Sequence, residues 1–179
     1  MLAVSRTATG RTSPRASRWT VGRPAAPIQR AAAYAFEEPP EITEYMAQGR
    51  RLHGAVARAV TDRFCAAGAL VVPPQAAFYL YPDFQAWRDR LAVEHGIETG
   101  TELTRHLLAE YGMGVLPASV FGESDQALRL RVSVSLLYGD TEEERAAALD
   151  AAHPLELPWI RDHLDRLSEI LSNSVSVGR

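Results

Sequence analysis

The segment from Leu128 to Ser135 alternates apolar and polar residues, which is typical of a β-strand with one exposed face. Because alternate residues of a strand share a face, Arg129, Arg131, Ser133 and Ser135 are expected to point the same way. A guanidinium on a rigid strand can hold a carboxylate through two parallel hydrogen bonds. The alternative is a surface strand whose arginines pair with nearby acids, and spacing alone favours that alternative.

The basic residues of this chain are all arginines. Its 179 residues include 19 arginines and no lysine, so these residues alone cannot perform chemistry that needs a lysine amine. The absence of lysine excludes a P-loop, whose motif requires one. Neither a glycine-rich dinucleotide loop nor a Gly-x-Ser-x-Gly nucleophile elbow occurs in the sequence. Several common classes of nucleotide-binding protein and hydrolase are therefore disfavoured.

The histidines and the single cysteine do not suggest a metal site. His95 and His106 are eleven residues apart and fall on different predicted helices, and the other histidines show no ligand spacing. We expect no metal ligands and interpret His53 as structural. Cys65 falls at an apolar helix end, where we expect a buried small side chain rather than a reactive thiol.

Charge is distributed unevenly along the chain. Residues 1–30 carry six arginines and no acid, giving +6, whereas the remaining residues carry thirteen arginines against twenty-two acids, giving −9. Residues 1–25 show no periodicity and contain few large apolar residues, which predicts a disordered tail. The alternatives are a segment never selected to fold, a transit peptide, or an arm that binds nucleic acid or another anionic surface. The acidic remainder of the chain argues against a nucleic-acid surface there.

Length and hydropathy suggest one globular domain without a membrane anchor. No apolar run approaches the roughly 20 residues of a membrane-spanning helix. One cysteine excludes a disulfide framework, so a reduced, cytoplasmic location is the default expectation.

Three- and four-residue apolar spacing, caps and glycine stops predict the helices. The longest predicted helix contains an apolar stripe of Ile42, Tyr45, Met46, Leu52, Val56, Val60 and Phe64. The predicted helices are residues 27–36, residues 41–67, a helix from about Asp83 to Gly96, a helix capped by Thr101 and stopped at Gly112, a helix starting at Thr141, and a final amphipathic helix containing Trp159, Ile160, Leu164, Leu167, Ile170 and Leu171.

Short β-rich runs predict a small sheet. They are residues 69–72, 77–81, 113–116 and 128–136, the first interpreted as a buried strand. Strands and helices do not alternate as in a doubly wound array. The sequence therefore predicts an α+β fold, with a sheet of three or four strands packed with helices. A long helix and the disordered tail precede that sheet.

Three segments, in order, resemble motifs of the carboxy-terminal small domain of class I/II pyridoxal-phosphate-dependent aminotransferases. Residues 76–83, Ala-Ala-Phe-Tyr-Leu-Tyr-Pro-Asp, resemble the family's Gly-Ala-Phe-Tyr strand. Residues 114–122, Gly-Val-Leu-Pro-Ala-Ser-Val-Phe-Gly, resemble its Val-x-Pro-Gly-x-x-Phe-Gly loop. Residues 130–135, Leu-Arg-Val-Ser-Val-Ser, are similar to its Arg-hydrophobic-Ser strand, and residues 26–32 to a helix beside the domain junction.

The resemblance implies roles for particular residues. Arg131 matches the family arginine that binds the α-carboxylate of the substrate, whereas Arg129 matches no family role. Tyr79 and Phe78 would line the mouth of the active site. Ala76 and Ala118 stand where the family often has glycine, so a positive φ at either position would strain the backbone.

The resemblance also implies a division of the chain and a missing half. Residues 1–25 would be a tail, residues 26–173 the small domain and residues 174–179 a second tail. In the family, the large domain supplies the Schiff-base lysine and most ligands of pyridoxal phosphate. We therefore expect a truncated aminotransferase that does not bind the cofactor or transfer amino groups alone. Alternatively, it is a non-catalytic binding or regulatory fragment that forms a homo- or heterodimer with an aminotransferase large domain.

Overall fold

The chain divides into two units, and the boundary in the sequence lies between Pro39 and Pro40. The computed structural model describes residues 24–175. In the first unit, α1 spans Ala26–Phe36, with Pro27 in its first turn and none of its residues buried. Proline suits this position because the first helical N–H groups lack intrahelical acceptors. The predicted helix is confirmed, while the expected disordered tail lies largely outside the described residues.

Helix α2 opens the second unit and spans Pro40–Ala66. The carboxy-terminal half of the predicted apolar stripe is buried, including Leu52, Val56 and Phe64, whereas Tyr45 and Met46 are exposed. The prediction that Cys65 is buried is wrong, because this residue is exposed. Successive helical residues point about 100° apart, so a core-facing Phe64 directs its neighbour outward.

Two helices follow, each ended by glycine. Helix α3 spans Arg88–His95 and α4 spans Gly100–Tyr111. The glycine after each helix adopts the left-handed conformation that favours this residue. The cap of α4 is Thr99, not Thr101 as predicted: its hydroxyl accepts from the Glu102 amide, and the Glu102 carboxylate accepts from the Thr99 amide.

The sheet has three short antiparallel strands. Strand β1 is Tyr79–Leu80, β2 is Leu116–Pro117 and β3 is Leu130–Ser133, which lies between the other two. The predicted buried strand at residues 69–72 is wrong. Only Leu70 forms a bridge, and both Leu70 and Val72 are largely exposed, at 71% and 83%. The prolines that follow lack the N–H donors needed to extend a ladder.

Two helices complete the domain. Helix α5 spans Glu142–Asp150 and follows a capping box formed by Thr141 and Glu144, and α6 spans Pro158–Val175. The core lies among α2, α6 and the buried face of the sheet. Its fully buried side chains include Val56, Val60, Phe64, Phe84, Leu91, Leu103, Leu128, Leu130, Val134 and Ile160. The α+β prediction is confirmed.

Candidate functional site

Arg131 lies in β3, and Arg129 is the bridge residue just before that strand. Their side chains share one face of the sheet, as the alternation predicted. Leu130 and Val132 face the core, whereas Arg129 is exposed and Arg131 is half-buried. The hydroxyl oxygens of Ser133 and Ser135 lie 2.9 Å apart. The strand therefore presents two guanidinium groups on a face that leaves its apolar side chains in the core.

Arg129 is held by two carboxylates. Its Nε donates to Asp83 Oδ2 at 2.9 Å and its Nη1 donates to Glu123 Oε2 at 3.0 Å. The hydrogen bond and charge of Asp83, followed by those of Glu123, raise the pKa of Arg129. Burial, then the hydrogen bond with Glu123, raises the pKa of Tyr81 beside them. Arg129 therefore follows the alternative of a surface arginine paired with acids.

Arg131 is held by aromatic rings instead. Its guanidinium carbon lies 4.5 Å from the ring centroid of Tyr79 and 4.1 Å from that of Phe121. Within residues 24–175 it forms no ion pair. Cation–π stacking engages the face of a guanidinium and leaves the N–H donors along its edge available to an acceptor. This group can therefore receive a carboxylate in its own plane.

The sheet register places the two rings on either side of β3. Leu116 of β2 lies opposite Arg131, and Tyr79 of β1 lies opposite Ser133. Tyr79 belongs to β1 and Phe121 follows β2, so the two rings come from the two strands that flank β3. Both rings are about half exposed, at 46% each. The two rings therefore orient the Arg131 guanidinium and leave it accessible.

The loop that carries Phe121 and Glu123 is tied to the start of α4. Asp125 Oδ1 accepts from the hydroxyls of Ser119 at 2.9 Å and Thr101 at 2.7 Å. The hydrogen bond from Thr101, then that from Ser119, lowers the pKa of Asp125. A Cβ atom on Gly100 would lie 2.8 Å from the Ala127 carbonyl oxygen, so this close approach requires glycine.

Phe78 and Tyr79 diverge in their contacts, although they are neighbours in the sequence. Phe78 packs against the core, with its ring centroid 5.8 Å from that of His53. Tyr79 is exposed and stacks on Arg131. The structure thus brings Arg131 and Tyr79 together, and Phe78 joins this pair through its ring contact with Tyr79, at 4.6 Å between centroids.

The positive φ considered at Ala76 and Ala118 occurs at neither residue. Neither residue has a positive φ, whereas Ala77 has φ of 61°. Ala118 begins a short 3-10 helix, a conformation that alanine adopts readily. The strained position is therefore one residue beyond the first motif alanine.

Sequence reasoning missed the contacts of Phe121, Asp83 and Glu123 with the two arginines. Phe121 was visible only as part of a loop motif, because its contact with Arg131 depends on the pairing of β2 with β3. Asp83 and Glu123 are 46 and 6 residues from Arg129 in sequence. No local spacing rule links such partners.

No metal-binding group of three or more His, Cys, Asp or Glu side chains occurs within residues 24–175. The structure does bring His95 and His106 together, with ring centroids 4.7 Å apart, although sequence spacing had separated them. No helix among the described residues has the length and apolar character of a membrane span.

In the aminotransferases that the three motifs resemble, pyridoxal phosphate is held through a Schiff base with a lysine, and the residues of this chain do not fit that requirement. Lysine is the only side chain with a primary amine, and the sequence contains none. Arginine is no substitute, because its guanidinium remains protonated. These residues therefore cannot form the Schiff base with the cofactor.

Comparisons with known proteins agree with the motif resemblance. The family profile described as aminotransferase class I and II matches residues 4–150. The chain belongs to this family. No curated protein matches its sequence significantly. Among solved structures, an aromatic aminotransferase from Pyrococcus horikoshii OT3 is similar, with 22% identity and a TM-score of 0.44. The match covers 82% of this chain and 31% of the other, so the chain spans about a third of that protein's length.

Proposed function

We propose that Arg131 binds the α-carboxylate of an amino acid and of the corresponding 2-oxo acid in a pyridoxal-phosphate-dependent aminotransferase. The observation that carries this proposal is the contrast between two arginines on one face. Arg129 is occupied by Asp83 and Glu123, whereas Arg131 is stacked between rings and has no carboxylate partner among the described residues. A fork with free edge donors suits a carboxylate, which accepts two parallel hydrogen bonds.

The chemistry of amino-group transfer requires residues from outside this chain. The cofactor supplies an electron sink when it is bound, and the family holds it through lysine. Arg131 would orient the substrate by its carboxylate, while Tyr79 and Phe121 restrict where the guanidinium can move. We expect this chain to take part in transfer only beside a polypeptide that contributes the lysine.

Carboxylate binding is tested by NMR titration of the labelled chain with alanine and pyruvate, the simplest amino acid and 2-oxo acid pair. We expect shifts at Tyr79, Phe121 and Ser133 that disappear in Arg131→Gln. Arg129→Gln is the matched control, since it removes a guanidinium from the same face but one that is already paired. Equal binding by wild type and Arg131→Gln would refute the role of Arg131.

The need for an external lysine is tested separately by adding pyridoxal phosphate and recording visible absorbance. We expect no cofactor band that borohydride fixes onto a side chain of the folded domain. A side-chain adduct located by mass spectrometry within residues 24–175 would overturn this part of the proposal and leave the carboxylate result standing.

A second candidate function is association with a separately encoded large domain of the same family. The observation in its favour is an apolar rim beside Arg131, formed by the exposed residues Leu116, Val120 and Phe121. Exposed apolar patches bordered by polar groups are typical of interaction surfaces. Co-expression with a lysine-bearing aminotransferase large domain should give a complex that Val120→Asp weakens. Independent elution of the two chains would contradict this candidate.

A further inference from the structure

Helix α2 and residues 74–77 enclose a cavity of about 350 Å³ that is lined by two arginines. Arg50 and Arg58 lie on its helical wall together with His53 and Gly54, and no acidic residue lines it. Cavities that hold small molecules begin at roughly this volume. The site is thus large enough for a small ligand and is positively charged.

Helical spacing explains how both arginines reach the same cavity. Arg50, Gly54 and Arg58 recur at four-residue intervals, so they share one side of α2. The Cα atoms of the two arginines are about 12 Å apart along the helix axis, a distance that two extended arginine side chains can span from opposite ends. The Arg58 guanidinium folds back over Gly54, where an added Cβ would lie 3.1 Å from its Nη1 atom. Because Gly54 has no side chain, the Arg58 guanidinium has space on the side toward Arg50.

Neither guanidinium is neutralised by a carboxylate among the described residues. Neither Arg50 nor Arg58 takes part in an ion pair within residues 24–175, whereas the adjacent Arg51 pairs with Glu44 at 3.6 Å. Residues 31–179 carry a net charge of −9, so two unpaired cations in one cavity stand out against an acidic molecule. Local attraction for an anion therefore has an identifiable source.

His53 also lines the wall of the cavity on α2. Its Nδ1 atom lies 2.7 Å from the Tyr138 hydroxyl oxygen, which fixes the ring. Its Nε2 atom would lie 3.8 Å from a Cβ atom on Gly49, a residue that does not line this cavity, so the imidazole is not counted among the ligand groups. Two guanidinium forks are a suitable set of groups for an oxyanion with several acceptor oxygens.

We propose that this cavity binds a small phosphate monoester, with Arg50 and Arg58 on the phosphate oxygens. Two positive charges match the roughly two negative charges of a monoester near neutral pH, whereas a monocarboxylate would match only one. The cavity volume leaves room for the organic group attached to the phosphate. This inference is independent of the proposed carboxylate role of Arg131, because the two sets of residues do not overlap.

The test is calorimetric titration of the full chain with phenyl phosphate and with inorganic phosphate at low ionic strength. We expect Arg50→Gln and Arg58→Gln each to weaken binding about tenfold, as for loss of a charged hydrogen bond. Arg58→Lys should give an intermediate loss, because it keeps the charge without the fork. Arg51→Gln is the matched control, a neighbouring arginine outside the cavity, and should change affinity by less than about twofold.

Two results would overturn the proposal. One is an equal loss in Arg51→Gln and Arg58→Gln, which would indicate unspecific attraction by the helix. The other is binding to a polyanion such as heparin without binding to either phosphate probe, which would indicate a nucleic-acid or polysaccharide surface instead. Circular dichroism of each variant verifies that the helices remain folded.

Discussion

Arg129 and Arg131 lie two residues apart on one face of the sheet, but their environments differ. Arg129 contacts Asp83 and Glu123, and Arg131 contacts Tyr79 and Phe121. The alternating pattern predicted their shared face, because that property depends only on strand geometry. It could not predict their partners, because these come from β1, its following turn and the loop after β2. Strand spacing alone therefore does not distinguish the free guanidinium from the paired one.

Ala77 offers a test of backbone strain at the level of one residue. Its φ of 61° lies in the left-handed region, which costs a non-glycine residue roughly 1–2 kcal/mol. Ala77→Gly should remove this cost, and after the extra entropy of glycine in the unfolded chain we expect a net gain of about 0.5–1 kcal/mol. The measurement is the free energy of unfolding in urea.

Ala76→Gly is the control for that change, since Ala76 is the preceding residue and has no positive φ. It should lower stability by about 0.4–1 kcal/mol through unfolded-state entropy. Equal losses in the two variants would show that Ala77 is not strained in solution.

His106 makes stability depend on pH. Burial, then the charge of nearby His95, lowers its pKa from the ordinary 6.5, while Glu110 acts in the opposite direction. Its buried Nε2 atom has no hydrogen-bond partner among the described residues. Below about pH 6.5 the unfolded chain therefore binds more protons than the folded protein, so stability is present above that pH and is lost as the pH falls.

We expect His106→Phe to reduce this loss, because phenylalanine fills the site without a titrating nitrogen. Urea midpoints at about pH 7.5 and about pH 5 check the prediction in wild type and variant. An unchanged difference between the two pH values in the variant would assign the effect to other groups, such as His53, whose pKa burial also lowers.

At the scale of the elements, the sequence predicted the ends of the helices best. The helix predicted to start at Thr141 does so, with Thr141 and Glu144 forming a capping box, and Gly96 and Gly112 end their helices in the left-handed conformation. The error at α4 is informative, because two threonines compete for the cap. Thr99 occupies it, and the Thr101 hydroxyl instead donates to Asp125. That choice depends on a loop 24 residues away, which local patterns do not include.

Thr99→Ala should therefore destabilise the protein by about 1 kcal/mol through loss of the cap. Thr104→Ala is a suitable control, because the Thr104 hydroxyl only donates to the Gly100 carbonyl oxygen within the same helix. We expect a change near zero or a slight gain there, since alanine favours helices. Thermal unfolding followed by circular dichroism compares the two. A larger loss in Thr104→Ala would contradict the assignment of the cap.

At the scale of the molecule, helix periodicity predicted more of the fold than strand propensity did. Most helices match because each depends on local spacing, whereas β1 and β2 shrink to two residues each and the run at residues 69–72 forms one bridge. Pairing β3 with strands about 15 and 50 residues away is a tertiary property that propensity does not contain. The candidate site was predictable at Arg131 and Tyr79 through family motifs, while Phe121 needed the register.

The Arg129 ion pairs connect three parts of the chain, namely the residue just before β3, Asp83 before α3 and Glu123 after β2. Arg129→Gln should lower the unfolding midpoint measurably, whereas Arg131→Gln should not, because Arg131 has no ion pair among the described residues to lose. High salt should reduce the difference between wild type and Arg129→Gln, since screening weakens exposed charge pairs. Equal midpoints for the two variants at low salt would refute the structural role of Arg129.

The central position of β3 has a consequence for how the chain folds as it is synthesised. Strands β1 and β2 pair only with β3, which is translated after both. Helices α2, α3 and α4 can form from local contacts while the chain emerges, but the sheet must wait until residue 133 leaves the ribosome. Closing loops of this length carries an entropic cost before pairing begins. Until then Tyr79 and Phe121 have no strand between them, so the stacked guanidinium is assembled late in folding.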